Sequence, residues 1–90
     1  MPVLMIAEVP NLTEEAYGGM IGQLTPLFRA SNGFISHSGG PSPTGGWRMV
    51  ESWESEEDSE KFFDENVKPN VRPEIVPERR YYPLHTAITK

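Results

Sequence analysis

The sequence predicts a single α+β domain over residues 1–90, with its elements in the order β-α-β-β-α-β. Four short runs are rich in β-branched and aromatic residues, and two stretches between them repeat apolar residues every three or four positions. Turn and breaker residues separate these segments. The order is that of the split βαβ arrangement, so we expect a ferredoxin-like antiparallel sheet with both helices on one face.

The first strand and the first helix have clear sequence signals. Residues 3–9 are nearly all apolar and are interrupted only by Glu8, which is typical of a covered strand. Thr13 is a suitable N-cap for the helix that follows. Pro26 lacks the amide that a helix interior needs, so we expect this helix to end or kink near Thr25.

A hairpin over residues 33–55 contains both tryptophans and one of the two histidines. We predict strands at residues 34–38 and 47–53, because the Gly- and Pro-rich stretch between them can neither continue a strand nor form a helix. The connecting loop is therefore longer than a tight turn. It is either the rim of a binding site or a plain wide connection.

Alternation predicts which side chains of the hairpin share a face. In the second strand, Ile35 and His37 share one face and Phe34 lies on the other. In the third strand, one face carries large apolar residues and one acid: Trp47, Met49, Glu51 and Trp53. Either a bulge or an exposed strand end turns Glu51 outward, which is the commoner arrangement, or Glu51 is a half-buried acid beside aromatic rings.

The C-terminal third predicts one helix and one strand. Ser55 is a suitable N-cap for the second helix, whose buried face is formed by Phe62, Phe63 and Val67. Three prolines divide residues 68–78 into an extended or one-turn connection. Residues 79–88 form the last strand, and Pro83 places it at an edge or a bulge of the sheet.

Composition limits the classes of partner. The net charge is −5 and the eight basic residues are scattered, so we expect no nucleic-acid partner. No apolar run approaches the roughly 20 residues that a membrane span needs. The N-terminal segment lacks a basic region and resembles a strand, not a signal peptide. With no cysteine and no metal-spaced histidines, we expect a cytoplasmic protein without a metal site.

A homodimer is the partner that the fold itself predicts. A chain of this length buries only roughly 60–65% of its unfolded surface, and it has no disulfide to compensate. Helices on one face leave the other face of the sheet uncovered. Two such sheets packed against each other would cover it.

Histidines are the first candidates for proton transfer, because imidazole titrates near neutral pH. The chain offers His37 and His85. In a ferredoxin-like sheet the second and fourth strands lie at opposite edges, roughly 14 Å apart. The two histidines therefore meet only across a dimer, where they would belong to different subunits. Each is equally well explained as a separate structural histidine.

Aromatic and charged side chains are candidates for binding a flat apolar ligand, because such pockets are mostly apolar with a few polar anchors. The candidates are Tyr17, Trp47, Trp53, Arg48 and Glu51. The same aromatic residues are equally suited to fill the core between sheet and helices. Arg48 either holds an anionic substrate or pairs with a glutamate.

Several short motifs extend over nearly the whole chain. They are Val9-Pro10, Leu12-Thr13-Glu14-Glu15-x-Tyr17, Gly33-Phe34-Ile35-x-His37, Gly46-Trp47-Arg48-Met49-Val50-x-x-Trp53-x-Ser55-x-Glu57 and Pro83-Leu84-His85. Together they resemble the antibiotic-biosynthesis-monooxygenase-like members of the dimeric α/β-barrel superfamily. The resemblance implies a dimeric α/β barrel and a cofactor-independent enzyme acting on an aromatic or polyketide-like molecule.

The same superfamily implies several activities. It includes cofactor-independent oxygenases, haem-degrading enzymes, isomerases, cyclases and members with no known activity. The haem-degrading branch uses an Asn on its first strand and a His on its second helix, and this chain has neither, so we do not expect haem degradation. Three functions stay open: a monooxygenase, isomerase or cyclase that needs no cofactor; a dimeric domain that binds a small hydrophobic molecule; and a purely structural dimer.

Overall fold

Four strands and two helices follow one another in the predicted order in the computed structural model, which describes residues 1–71 and 76–88. The bounds are β1 Val3–Val9, α1 Glu14–Ala30, β2 Phe34–Pro41, β3 Trp47–Trp53, α2 Glu56–Phe62 and β4 Glu78–Pro83. A π-helical segment, Phe63–Val67, and a 3-10 turn, Lys68–Asn70, continue α2. The predicted α+β, ferredoxin-like fold is confirmed.

The four strands form one antiparallel sheet in the order β2-β3-β1-β4. This order confirms that β2 and β4 lie at opposite edges. Every second side chain of β1 is buried on the face that the helices cover: Met5, Ala7 and Val9. The same face of β3 is also buried and confirms the predicted set of Trp47, Met49, Glu51 and Trp53.

Helix α1 begins as predicted and ends later than predicted. The Thr13 hydroxyl caps it by accepting a hydrogen bond from the Ala16 amide at 3.1 Å. Of the two predicted outcomes at Pro26, an end or a kink near Thr25, the end is wrong, because α1 continues through Pro26 to Ala30. Proline removes one backbone bond, and the burial of Phe28 beyond it holds the last turns in place. No helix in the described part of the chain is long and apolar enough to cross a membrane.

The hairpin loop is shorter than predicted. Strand β2 extends past Ser38 to Pro41, so the loop is confined to residues 42–46. Ser42 and Gly46 close it with a backbone hydrogen bond of 3.1 Å. Glycine and proline are tolerated in β2 because it is an edge strand, where unpaired backbone positions face outward.

A β-bulge in β2 overturns the predicted alternation. Phe34 is opposite Trp53 and Ser36 is opposite Ser52, so Ile35 is an extra residue in this strand. The bulge places Phe34 on the same face as His37, where Phe34 packs against Trp53. Ile35 is on the other side and is 47% exposed, contrary to the prediction that it shares a face with His37.

The C-terminal strand is shorter than predicted. It ends at Pro83 instead of continuing to residue 88, and the Leu84 amide bonds to the Pro2 carbonyl at 2.9 Å. Strand β4 pairs only with β1, which confirms its edge position. The predicted connection at 68–78 begins as a continuation of α2, and its residues 72–75 lie outside the described residues.

The helices cover one face of the sheet and leave the other open. On the open face, Leu4, Ile6 and Val50 are half-buried. Ile35 is exposed on it, and Tyr82 in β4 is 44% exposed. This face is therefore partly apolar, as the sequence predicts for a sheet that packs against another.

Candidate functional site

A buried carboxylate lies at the centre of the candidate site. Glu51 is on the helix-covered face of β3 and is 7% exposed. Its Oε1 accepts a hydrogen bond from Trp53 Nε1 at 2.8 Å, and its Oε2 lies 2.7 Å from His37 Nδ1. The register of β3 is regular at this position, so the expectation of a bulge or an exposed end that turns Glu51 outward is wrong.

His37 joins this carboxylate to a phenol. It is directly opposite Glu51 in the β2–β3 register, and its Nε2 lies 2.6 Å from Tyr17 Oη. With the carboxylate ionised and the imidazole neutral, Nδ1 must donate to Glu51 and Nε2 must accept from the Tyr17 hydroxyl. The result is one continuous hydrogen-bonded chain, which we call the acid–base cluster: Tyr17, His37, Glu51 and Trp53.

Helix α1 supplies the phenol, and β2 leaves space for it. Burial, and then the negative charge of Glu51, raises the pKa of Tyr17 above its ordinary value, which keeps the hydroxyl protonated. Gly39 faces the same phenol. A Cβ built there would lie 2.6 Å from Tyr17 Cζ, closer than any real contact, so a side chain at this position would displace the ring.

Aromatic rings pack around the imidazole. The centroid of the Tyr17 ring is 6.0 Å from that of His37, with the two rings nearly parallel, and the Trp47 ring lies 5.0 Å from Tyr17. Phe28 contacts His37 with ring centroids 5.0 Å apart. Such packing excludes water and fixes the orientation of the imidazole, which is the requirement for a general acid–base group.

Two voids meet at this histidine. The interior cavity, between sheet and helices, has a volume of about 80 Å³ and is bounded by Met5, Ala7, Met49 and Glu51 among others. The outer groove, between α1 and the edge strand β2, has a volume of about 430 Å³. His37 and Phe28 line both voids, so these two side chains form the wall between them.

A second polar cluster lies across the interior cavity, and we call it the arginine cluster: Ser59, Glu60, Arg79 and Tyr81. Arg79 Nη2 donates to Glu60 and to Tyr81 Oη, the latter at 2.8 Å, and the guanidinium lies 3.9 Å above the Phe63 ring. Burial raises the pKa of Tyr81. Burial would also raise the pKa of Glu60, but the hydrogen bonds from Arg79 and Tyr81 outweigh it and lower that pKa.

The structure brings together four of the seven side chains that the sequence selects: Tyr17, His37, Glu51 and Trp53. Trp47 adjoins them through the Tyr17 ring. Arg48 does not, because it lies on the open face of the sheet and pairs with Glu8, whose pKa that hydrogen bond lowers. His85 lies beyond β4, is exposed and contacts the Thr86 hydroxyl at 2.6 Å.

Sequence reasoning missed Gly39 and Phe28, which contact the acid–base cluster, and Arg79, which forms the second cluster. In the sequence, Gly39 is recognisable only as a residue that disfavours a strand. No pattern of neighbouring residues indicates that it lies close to a phenol on α1. Phe28 is one of several helix-spaced apolar residues. Arg79 is half of an Arg79-Arg80 pair, and only strand alternation separates the inward arginine from the outward one.

Metal ligation has no support in the described residues, where no group of three or more His, Cys, Asp or Glu side chains is close enough to hold an ion. The acid–base cluster has one imidazole and one carboxylate, and both are already engaged in hydrogen bonds. A carboxylate, an imidazole and a phenol are side chains that can exchange protons.

Comparison with known sequences gives no match. No model of a protein family matches this chain. No curated protein matches it either.

Comparison of structures, in contrast, gives matches along the whole chain. SnoaB from Streptomyces nogalater, a cofactor-independent oxygenase, aligns with a TM-score of 0.71 and 8% identity over 99% of this chain and 98% of its own. Rv0793 from Mycobacterium tuberculosis aligns with a TM-score of 0.70 and 20% identity over 98% and 100%. MhuD, a haem-degrader from the same organism, aligns with a TM-score of 0.61 and 13% identity over 97% and 99%. At these identities the likeness shows a shared fold, the one that the resemblance to monooxygenase-like proteins predicted.

Proposed function

We propose that this protein is a cofactor-independent monooxygenase that removes a proton from an aromatic or polyketide-like molecule, and that the acid–base cluster performs this step. One observation carries the proposal: a buried carboxylate–imidazole–phenol chain whose side chains are 9% exposed at His37 and 8% at Glu51. Buried ionisable groups are expensive unless they are paired, and they are concentrated at functional sites. The structural likeness to SnoaB supports the choice of oxygenation among the reactions that begin with such a step.

His37 is the base in this proposal. Glu51 accepts from Nδ1 and so holds the imidazole in the tautomer whose Nε2 faces Tyr17. As the substrate proton moves to Tyr17 Oη, the Tyr17 proton moves to Nε2. The products are the substrate anion, an unchanged tyrosine and an imidazolium paired with the Glu51 carboxylate, the division of roles used in carboxylate–histidine catalysis.

Oxygen then reacts with the substrate anion. A new C–O bond forms, the imidazolium returns its proton to the peroxide, and loss of one water leaves a carbonyl group. A CH₂ group and one O₂ thus become a C=O group and one H₂O, and the cluster returns to its starting protonation state. No electron donor other than the substrate is needed.

An isomerase or cyclase is the second candidate, because the same proton removal begins either reaction without oxygen. The chemistry of Tyr17, His37 and Glu51 is identical in both cases. The small interior volume, about 80 Å³, favours a third candidate in which the aromatic residues only form a core. Against the third candidate, burying ionisable groups is costly, and the buried acid–base chain would then have no chemical role.

Oxygen consumption with anthrone- and naphthol-type phenols tests the proposal. We expect uptake by the wild-type protein and a loss of about 100-fold or more in His37→Ala, with the ascending limb of the pH–rate profile removed. His85→Ala is the comparison, since His85 is exposed and outside the cluster. No uptake by a folded wild-type protein, or equal uptake by His37→Ala, contradicts the proposal.

The assembly proposed for this enzyme is a homodimer packed through the open face of the sheet. The exposed Ile35 and Tyr82 and the half-buried Leu4, Ile6 and Val50 support it. That His37 and His85 approach each other across this dimer stays a prediction, as does a cytoplasmic location. Sedimentation tests the dimer: the wild type should sediment as a dimer and Ile35→Lys as a monomer, and a monomeric wild type contradicts it.

A further inference from the structure

We propose that the outer groove, and not the interior cavity, binds the substrate, and that this substrate is a flat aromatic or enolic acid whose carboxylate pairs with Arg29. The inference rests on the proposed function, because it identifies where a molecule meets the acid–base cluster. It adds a substrate class and a specificity-determining residue to that function.

Size separates the two voids. Pockets for small molecules commonly have volumes of about 300–1,000 Å³. The interior cavity has about 80 Å³, too little for a fused-ring substrate, whereas the outer groove has about 430 Å³. The aromatic side chains between sheet and helices therefore mainly fill the core, and the space for a ligand lies outside it.

The reactive end of the hydrogen-bonded chain faces the groove. Tyr17 and His37 both line the groove, whereas Tyr17 does not line the interior cavity. Glu51 lies on the opposite, cavity side of the imidazole. In a chain built in the order carboxylate, imidazole, phenol, the phenol is the group that exchanges a proton with the substrate. A substrate in the groove would therefore contact this group.

The groove has the surface of a site for an amphipathic aromatic molecule. Its apolar lining comes from Ile21, Phe28 and Phe34, and its polar lining includes Ser36 and Ser38. Faces of aromatic rings stack on planar substrates, and hydroxyl groups at a rim fix their orientation. A flat ring system is therefore the shape that this lining fits.

Arg29 gives the groove its charge preference. Among the described residues that line the groove, it is the only lysine or arginine, and none of them carries a carboxylate. It is exposed and forms no ion pair with any described residue. Its position in the last turn of α1 also suits the helix dipole, but a guanidinium there remains available for bidentate pairing with a carboxylate.

The distance along α1 sets the length of the ligand. Tyr17 and Arg29 are twelve residues apart on the same helix, which is roughly 18 Å along its axis. Both side chains line the groove, and because helical side chains lean toward the helix N-terminus, the long arginine side chain shortens the gap from its far end. Two fused rings with a hydroxyl at one end and a carboxylate at the other fit the remaining span.

Fluorescence binding of 6-hydroxy-2-naphthoate, with 2-naphthol as the matched ligand lacking the carboxylate, tests the groove. Arg29→Gln should weaken naphthoate binding about five-fold, the effect of one exposed ion pair, and change naphthol binding less than two-fold. Arg80→Gln, which removes another exposed arginine, on the open face of the sheet, should change neither. Thr25→Phe, which narrows the groove, should weaken both ligands, and Ala7→Val, which narrows only the interior cavity, should weaken neither.

The proposal that the groove binds the substrate is overturned if Ala7→Val weakens binding while Thr25→Phe or Arg29→Gln has no effect. It is also overturned if the wild-type protein does not bind the naphthoate. Circular dichroism and thermal melts identify any variant that fails to fold. If the binding pattern holds but no phenol is oxidised or deprotonated, the groove stands and the proposed chemistry fails. If phenols are oxidised at rates indifferent to Thr25→Phe and Arg29→Gln, the chemistry stands and the groove is overturned.

Discussion

Two polar clusters lie in the same layer between sheet and helices, and their chemistry differs. The acid–base cluster pairs its carboxylate with an imidazole, and the arginine cluster pairs its carboxylate with a guanidinium. Each contains a tyrosine whose pKa burial raises. Histidine is the side chain that proteins use for proton exchange at physiological pH, whereas arginine stays protonated.

Burial separates the clusters further. The Glu51 side chain is 8% exposed, whereas the side chain of Glu60 is 45% exposed beside Arg79. The Arg79 side chain is 13% exposed, so this pair is screened by water only on its carboxylate side, and Arg79 keeps Tyr81 and the Phe63 ring as neighbours if that carboxylate is removed. A pair that is buried on both sides is costlier to break. Under the proposed function, similar residue types therefore form a proton-transfer group in one cluster and a structural brace in the other.

The largest difference between the clusters should appear when each carboxylate is replaced by an amide. Glu51→Gln should lower turnover about 100-fold, because the imidazole loses its orienting anion, and lower the free energy of unfolding by about 1–3 kcal/mol. Glu60→Gln should leave turnover within about two-fold and cost less than about 1 kcal/mol. Oxygen-uptake rates and urea unfolding measure both. Equal losses of turnover in the two variants would remove the distinction.

An intermediate effect is expected where the backbone makes room for the phenol. A methyl group at Gly39 overlaps the Tyr17 ring, whereas one at Gly40 meets nothing within 4 Å. Gly39→Ala should therefore lower turnover about ten-fold and destabilise the protein by about 1–3 kcal/mol. Gly40→Ala, the matched control, should change stability by less than about 0.5 kcal/mol. If both variants behave alike, the placement of Tyr17 is wrong.

The smallest effect concerns the two buried tyrosines at alkaline pH. Because the folded-state pKa values of Tyr17 and Tyr81 are raised, their contribution to stability is complete below about pH 10 and is lost as the pH rises through the folded values. Ultraviolet absorbance should show phenol ionisation later than in the unfolded chain. Tyr17→Phe and Tyr81→Phe should each remove one late component, and an unchanged curve in either variant would contradict that assignment.

Local patterns in the sequence were sufficient for the elements and for most of the fold. The apolar run of β1, the Thr13 cap and the β3 alternation depend on neighbours in the chain, and all three were predicted correctly. The bulge at Ile35 has no such signal, so simple alternation put Phe34 and His37 on opposite faces. Pro26 was given too much weight because the packing of Phe28 that offsets it is a tertiary effect.

The candidate site was predictable as a set of residues but not as an arrangement. His37, Tyr17 and Glu51 were all selected from their chemistry. Tyr17 and His37 are 20 residues apart in the chain, and His37 and Glu51 are 14 apart. The register of β2 against β3 and the position of α1 bring them into contact. Without that tertiary information, an outward position of Glu51 was favoured over the alternative of a half-buried acid beside aromatic rings, since an unpaired buried acid is costly. Its two hydrogen-bond partners remove that objection.

Deuterium exchange without oxygen tests the central claim most directly, because it isolates proton removal from oxygenation. An anthrone is incubated in D₂O under nitrogen with wild-type protein, His37→Ala or Tyr81→Phe, and loss of its acidic C–H is followed by proton NMR. We predict that wild type and Tyr81→Phe accelerate exchange about 100-fold over His37→Ala. Equal exchange rates for wild type and His37→Ala would contradict a proton-transfer role for the acid–base cluster.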